Sequence, residues 1–403
     1  MAADPHNVVR LILPKPVPAR PGEEYQDAAV LLAEWLAEQI LVTDAEPALY
    51  VYEQAGLAAD PAGPAGAPAW LQRGLIGSLR LEPPEAGIVL PHEDVSPGPV
   101  AGRLALMEAT QANLEPIFLL YDGGGPAAGP GAASRIVEET AQRPPLIEAL
   151  TADGLRHRLW AVTDPGELTA IAADLAPRQA LIADGHHRYA AYRRLQERRQ
   201  QAGDGAGPWD SGLALLVDSS IYPPHIGAIH RVIPGLDVHQ AAKLAAGAFD
   251  VLRLPDGALA DGALADAERE LAAAGREGPA FVLAGDTELY LLTRPDRRQT
   301  AASMPAGRSE QWCALPAAVL QELLIGKLWG LTDDDQSVKI VHHDAEATLR
   351  AARESGGTAV LCNPMTPAEV YAVAARGEKV PRKSTSFAPK PRTGLVLRTF
   401  AQG

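Results

Sequence analysis

The chain has 403 residues, of which 47% are hydrophobic and 21% charged, a balance typical of globular proteins, and its length predicts two or three domains. Its net charge of −14 disfavours nucleic acid as a partner, because nucleic-acid binding depends on basic side chains that neutralise phosphates. The chain has no apolar run of about 18 residues and no basic, apolar leader at its start, so we expect a cytoplasmic protein without a membrane partner.

The spacing of apolar residues predicts a hairpin and several helix–strand units in the first half of the chain. The hairpin strands are 48–53 and 74–81, joined by the loop 55–69. The other predicted strands are 7–13, 116–121, 158–163 and 179–183, and the predicted helices are 23–41, 101–112, 165–175 and 187–201. The Gly-rich segment 122–133 predicts a flexible loop.

The second half of the chain also alternates between the two element types. The predicted strands are 213–219, 280–284, 288–293, 338–341, 358–362 and 394–398, and the predicted helices are 238–248, 263–274, 315–329, 344–354 and 366–376. This alternation predicts an α/β to α+β architecture. We place a domain boundary within 205–235, which gives a first region of 1–210 and a second mixed α/β region of 211–403.

The turn Asp184-Gly185-His186-His187-Arg188 is the strongest candidate site, because it joins a wholly apolar strand to a helix. The first N–H groups of a helix attract anions, and a glycine lets a phosphate approach the backbone closely. Arg188 suits bidentate phosphate binding, and the two histidines suit proton transfer or phosphate contacts. Asp184 suits magnesium binding or proton abstraction. The alternative is structural: Asp184 caps the helix and the histidines are surface residues.

The stretch 185–195, GHHRYAAYRRL, resembles the phosphate-binding motif of the ParB/sulfiredoxin superfamily, in which a His-Arg turn at a helix start binds nucleotide phosphates. The free-serine kinases of that superfamily carry a related turn. The resemblance implies a ParB/sulfiredoxin-like nucleotide-binding domain in the first region. Sulfiredoxin has its nucleophilic cysteine where this chain has His186, so sulfinic acid reduction is excluded.

A second resemblance, to the bacterial family catalogued as domain of unknown function 1015, extends over nearly the whole chain. It rests on the segments 4–11, 91–121, 182–189, 229–232 and 381–396. Members usually carry an upstream Pro-Pro-Tyr-Asp segment. We therefore expect either a misassigned start or a natively short chain.

Further candidates lie outside the turn. Glu93 follows His92 in a loop, where it is either a proton-transfer group or a solvent-exposed residue. His230 and Arg231 either add a basic arm to the anion site or face solvent. The segment 382–392 is the most basic in the chain, and it is either a solvated surface or an anion-binding segment with four candidate residues: Lys383, Ser384, Thr385 and Lys390. The adjacent His342, His343 and Asp344 are better explained by a helix cap or a pair of surface residues than by a metal site.

Together these features predict a nucleotide-dependent phosphotransferase that acts on a small hydroxylated metabolite, with free serine as the named acceptor. ATP or ADP would be the donor and magnesium the metal, with Asp184 as its ligand. Asp184, His186 and Glu93 are the predicted catalytic residues, and Gly185, His187 and Arg188 hold the phosphates. The alternative is a non-catalytic nucleotide-binding regulator of the ParB type. A nuclease is disfavoured by the net charge.

Overall fold

The structure is a computed structural model that describes residues 4–16, 22–59, 68–124, 129–254 and 263–402. Backbone contacts divide it into two units. The first unit contains Met1–Pro223 and Pro389–Gly403, and the second contains Pro224–Ala388. The short C-terminal segment is therefore part of the first unit, although the whole second unit precedes it in the sequence.

The strands, in chain order, are β1 (Leu49–Ala59), β2 (Pro68–Arg80), β3 (Val89–Leu90), β4 (Ala112–Asn113), β5 (Ile117–Tyr121), β6 (Ile147–Leu150), β7 (Leu155–Val162), β8 (Ala180–Asp184), β9 (Ser211–Asp218), β10 (His225–Ile226), β11 (Ile229–Ile233), β12 (Asp250–Arg253), β13 (Phe281–Ala284), β14 (Leu289–Thr293), β15 (Lys339–His342), β16 (Thr358–Cys362), β17 (Phe387–Ala388) and β18 (Arg398–Thr399). The α-helices are α1 (Val9–Ile12), α2 (Glu23–Ala37), α3 (Pro97–Thr110), α4 (Ala132–Thr140), α5 (Pro165–Leu175), α6 (His186–Ala202), α7 (Val238–Ala245), α8 (Ala263–Gly275), α9 (Arg297–Ser303), α10 (Glu310–Cys313), α11 (Pro316–Ala318), α12 (Ala345–Glu354) and α13 (Pro367–Ala374). A π-helix, Val319–Leu328, follows α11, and short 3₁₀ helices span Pro84–Ala86, Pro208–Asp210 and Phe400–Gln402.

The first unit is built on an eight-stranded sheet with the order β3-β8-β5-β9-β2-β1-β7-β6. Strand β8 pairs in parallel with β3 and antiparallel with β5, and β5 is parallel to β9. All four buried positions at the start of β8 are apolar, as expected for a strand inside a mixed sheet. The carboxyl end of β8 carries Asp184, where α6 begins.

Helices α3 and α6 bury an apolar stripe against this sheet. Leu104 and Met107 of α3 join Tyr189, Tyr192 and Leu195 of α6 in one core, whose other members include residues of β5, β8 and β9. The spacing of 189, 192 and 195 places three apolar side chains on one face of α6. The sheet and the core of the first unit thus hold the start of α6 in place.

The second unit contains a six-stranded sheet with the order β12-β14-β13-β16-β11-β15. Its described pairings are all antiparallel. One core contains the π-helix with Val238 and Phe249, and a second core contains Leu271 and Leu349. The mixed α/β architecture predicted from the sequence is confirmed.

Several local predictions differ from the structure. Segment 7–13 is not a strand, because Val9–Ile12 is helical and Leu11 packs in a core with α2. The predicted helix 315–329 is instead α11 followed by a π-helix. Of the predicted strand 394–398, only the last residue is in a strand, β18.

Two further differences concern loops and grouping. The loop predicted for 122–133 ends where α4 begins. Residues 125–128 of this loop, and residues 60–67 of the loop predicted for 55–69, lie outside the described residues. Strand β9 begins at the predicted start of the second region, but its hydrogen bonds are with β2 and β5 of the first unit. The predicted cap at Asp344 is confirmed, since its Oδ1 accepts the Ala347 N–H at 2.7 Å.

Candidate functional site at the start of helix α6

Gly185 lies between β8 and α6 and is the N-cap of that helix. Its φ of +99° is in the left-handed region, which glycine adopts without a steric penalty. A Cβ at this position would lie 3.0 Å from Arg188 Nε and 3.1 Å from Ile117 Cγ2. Asp184 is therefore not the helix cap, and the cap residue has no side chain that would cover the first amides of the helix. This arrangement suits an anion approaching the helix N-terminus.

Asp184 is paired with two cations. Arg188 Nη2 lies 2.5 Å from Asp184 Oδ2, and Lys390 Nζ lies 2.6 Å from Asp184 Oδ1. The side chains of Asp184 and Arg188 are largely buried, whereas that of Lys390 is 61% exposed. The structure thus brings Lys390, which is more than 200 positions away in the chain, to the predicted turn that contains Asp184 and Arg188.

Two residues outside the predicted set extend this network. Arg188 Nη1 lies 3.5 Å from Glu115 Oε1, and Arg103 Nη1 lies 2.9 Å from Glu115 Oε2. The resulting cluster of three cations and two carboxylates carries one net positive charge. The sequence signal for Glu115 was weak, because a single acidic residue before a strand is common on protein surfaces.

His186 faces the loop after β3. The backbone N–H of His92 donates to His186 Nε2 at 3.3 Å, so the neutral tautomer carries its proton on Nδ1. That Nδ1 lies 3.7 Å from Glu93 Oε2, and the His92 and His186 rings meet edge to face. Both imidazoles are buried. Glu93 therefore lies near two histidines: His92, its neighbour in the chain, with which the sequence pairs it, and His186 of α6.

His187 binds the same loop, since the N–H of Ser96 donates to its Nε2 at 3.1 Å. The loop and the first turn of α6 are thereby joined at two points. Tyr192 holds the other side of the turn by donating from its hydroxyl to the Glu115 carbonyl at 2.8 Å. Its burial raises the pKa of this phenol well above its usual value, so Tyr192 stays a neutral donor.

A short C-terminal segment, 389–392, presents Lys390 to Asp184. Gln54 Nε2 donates to the Pro389 carbonyl at 3.3 Å, and the Arg392 N–H donates to the Tyr52 hydroxyl at 3.2 Å. The Tyr52 hydroxyl also lies 2.9 Å from His157 Nδ1. Because both ends of the segment are anchored to β1, Lys390 is fixed despite its exposed side chain.

The other predicted binding residues belong to the second unit. His230 is buried and accepts the Cys362 N–H through Nδ1 at 3.1 Å, and burial lowers the pKa of this imidazole to about 4. Arg231 is buried as well and donates to the carbonyls of Arg382 and Lys383 at 3.1 and 3.0 Å. These contacts give both residues a structural role in the second unit.

The basic segment itself is divided between the units. Ser384 and Thr385 are buried, and Ser384 Oγ donates to the Pro381 carbonyl at 2.6 Å. Lys383 is exposed and has a positive φ of 50°. Of the four predicted residues in this segment, only Lys390 belongs to the same unit as Asp184.

A family model described as "Protein of unknown function (DUF1015)" matches residues 1–317. The chain belongs to this family. The family resemblance deduced from the sequence is thereby confirmed, and the mixed α/β architecture described above is the structure of a member. A comparison with curated proteins finds no match.

Solved structures similar to the chain include a free serine kinase variant in complex with ADP, at 15% identity and a TM-score of 0.37, over 78% of this chain and 87% of that one. SbnI with a C-terminal truncation, from Staphylococcus aureus, is 14% identical with a TM-score of 0.36, over 79% of this chain and 84% of that one. A conserved hypothetical protein from Pyrococcus furiosus is 16% identical with a TM-score of 0.34, over 78% of this chain and 90% of that one.

Among the described residues, no helix is long and apolar enough to cross a membrane.

Proposed function

We propose that this protein binds nucleotide phosphates at the start of α6 and transfers a phosphoryl group to a small hydroxylated metabolite. The observation that supports this most is the placement of Arg188 and Lys390 on either side of Asp184, at a glycine that caps a helix. Phosphoryl transfer depends mainly on positioned cations and helix amides that neutralise charge. Arg188 and Lys390 would supply the cations, and the first turn of α6 would supply the amides.

Binding would proceed by exchange of anions. Arg188 and Lys390 are held by a carboxylate, and a phosphate group can replace that carboxylate as their partner. His187 and the first amides of α6 would then bind the remaining oxygens. The exchange would free Asp184 from its two cations when the nucleotide binds.

The freed carboxylate would act as the general base. Asp184 would accept the proton of the acceptor hydroxyl while the oxygen of that hydroxyl attacks the terminal phosphorus. The bond between this phosphorus and the bridging oxygen would break, and the shortened nucleotide would leave with the bridging oxygen. Glu93 is the second candidate, because His186 orients it. ATP or ADP is the proposed donor. Free serine is the first acceptor to test, because the turn resembles that of free-serine kinases.

Without nucleotide, the residues present do not fit a magnesium ion held by Asp184. Both of its oxygens are engaged by cations, and the described residues contain no group of three or more metal-ligating side chains. Magnesium takes oxygen ligands in octahedral geometry, and cationic neighbours oppose it. Once the exchange of anions frees Asp184, we propose that it acts as the base, and a magnesium ion that arrives with the nucleotide would be held mainly by the phosphates.

Of the predicted anion-binding residues in the second unit, we keep one as a binding residue in the proposal. Lys383 has an exposed side chain, so it is the residue there that we propose for binding an anion within the second unit. His230, Arg231, Ser384 and Thr385 are buried and would support the segment that carries it.

A matched pair of glycine variants tests the site. Gly185→Ala should abolish nucleotide binding, because the added methyl group meets Arg188 and Ile117 where the phosphate is expected. Gly203→Ala, at the other end of the same helix, is the control. It has a similar φ of +81° and its Cβ would enter open space, so it carries the same backbone strain of about 1–2 kcal/mol without blocking a site.

The transfer reaction is tested with labelled ATP and ADP over a panel of serine, other amino acids and sugars. The proposal is supported if the wild type and Gly203→Ala transfer label to one acceptor and Gly185→Ala does not. Tight nucleotide binding without any labelled acceptor would refute the enzyme and favour the nucleotide-binding regulator. Equal nucleotide affinity in both glycine variants would refute the site itself.

A further inference from the structure

A separate cavity of about 620 Å³ lies in the first unit beside the second half of α6. Its walls come from the end of β2, from α6 and from the residues that lead into β9. The volume is within the range of about 300–1,000 Å³ typical of small-molecule pockets. Gln196 of this cavity lies ten residues after His186, which is about 15 Å along the helix axis. The cavity is therefore distinct from the proposed phosphate site.

A buried carboxamide fixes one cation and one anion in the wall of this cavity. Gln196 is only 5% exposed. Its Oε1 accepts from Arg193 Nη1, and its Nε2 donates to Asp210 Oδ1 at 2.8 Å. Because one rigid amide holds both charged groups, their separation and orientation are set before any ligand arrives, which lowers the entropic cost of binding.

Asp210 is held as a carboxylate. The Gly207 N–H donates to its other oxygen at 2.9 Å. The hydrogen bonds from Gln196 and Gly207 keep the pKa of Asp210 below its usual value, with a smaller contribution from Gln200. A carboxylate offers about four acceptor positions, so capacity remains for one further donor.

Arg193 retains donors as well. One of its terminal nitrogens is used by Gln196, and the other lies 3.7 Å from Glu197, longer than a hydrogen bond. The side chain of Arg193 is 19% exposed, so its guanidinium reaches the cavity without being fully solvated. A planar guanidinium of this kind matches a carboxylate in two-point geometry.

The charges of the lining residues balance, and Glu197 beside Arg193 adds one further negative charge. Arg193 and Arg80 are matched by Asp210 and Glu82, and Arg80 Nε already lies 2.9 Å from Glu82 Oε1. A polyanion would find no excess of positive charge here. A molecule that carries one carboxylate and one ammonium group would satisfy Arg193 and Asp210 together.

We propose that this cavity is a second ligand site that binds a small zwitterion of the α-amino acid class. The carboxylate binds Arg193 and the ammonium group binds Asp210, with Gln196 setting the distance between them. This site goes beyond the phosphoryl transfer proposed above and does not depend on it. Nothing in its lining residues overlaps with the Gly185 turn.

The test is calorimetric titration of the full chain with each of the twenty L-amino acids, without nucleotide. At least one should bind. For each amino acid that binds, the corresponding deaminated acid and decarboxylated amine should bind at least tenfold more weakly, because each lacks one of the two charged contacts. Arg193→Gln should weaken binding at least tenfold, whereas Arg194→Gln, at the exposed neighbouring position, should leave it unchanged.

Each other result overturns the proposal. If no amino acid binds, the site does not exist. If the deaminated acid binds as well as the amino acid, the cavity is a simple anion site. An amino acid bound as acceptor at the Gly185 turn would instead lose affinity in Arg188→Ala and keep it in Arg193→Gln, which separates this proposal from the proposed function.

Discussion

Replacing Asp184 with asparagine should change nucleotide binding and phosphoryl transfer in opposite directions. Asn keeps the shape and the hydrogen-bonding capacity of the side chain but removes the charge that competes with phosphate for Arg188 and Lys390. Two partly exposed ion pairs are each worth up to about 1 kcal/mol. Because the nucleotide no longer has to break these ion pairs, we expect its affinity to rise. Together the two pairs are worth about 1–2 kcal/mol, which corresponds to a rise of about 5–30-fold.

Transfer should fall in the same variant. An amide does not accept the proton of the acceptor hydroxyl, and general-base catalysis typically contributes about 10²–10⁴-fold. The measurements are nucleotide Kd by calorimetry and the single-turnover rate with labelled nucleotide, for wild type, Asp184→Asn and Glu93→Gln. Weaker nucleotide binding in Asp184→Asn would refute the exchange of anions. Full transfer activity in Asp184→Asn, with loss in Glu93→Gln, would assign the base to Glu93.

Three further predictions concern affinity, stability and pH. Arg188→Lys should weaken nucleotide binding about tenfold or more, because lysine keeps the charge but lacks the bidentate fork, and titration calorimetry measures this. Glu53→Gln should lower the free energy of unfolding in urea by about 3–5 kcal/mol, because Glu53 is fully buried between Arg73 and Arg158 at 2.7 and 2.5 Å. His230 should make stability fall as pH decreases from about 6.5 towards 4, because its folded pKa is lowered and the unfolded state takes up the proton first.

Each of these has a matched control. Arg194→Lys is exposed on the same helix and should leave nucleotide affinity unchanged. Glu34→Gln is exposed on α2 and should leave unfolding unchanged; an equal effect at Glu53 and Glu34 would contradict the buried-charge argument. His230→Gln, which keeps a hydrogen-bond acceptor for Cys362, should flatten the acid limb of the stability curve. A wild-type curve without that limb would refute the role of His230.

The sequence determined the local elements that have a strong pattern. The apolar run 180–183, the glycine at 185 and the helical spacing of Tyr189 and Leu195 predicted the strand, turn and helix that the structure shows. These features depend on neighbours in the chain, so their signal is local. The short segment 7–13 was predicted wrongly for the same reason, because its five apolar residues fit either a strand or a buried helical turn, and only packing against α2 selects the helix.

Only the tertiary structure decided which charged residues meet. Lys390 reaches Asp184 because the chain returns to the first unit after Ala388, and no local spacing records that return. In the same way, the register of β1 with β2 and β7 places Glu53 opposite Arg73 and Arg158. The sequence gives the chemical type of each side chain directly. Which side chains meet depends on strand pairing and chain reversal over long separations, and the burial of apolar surface sets that geometry more than the charges do.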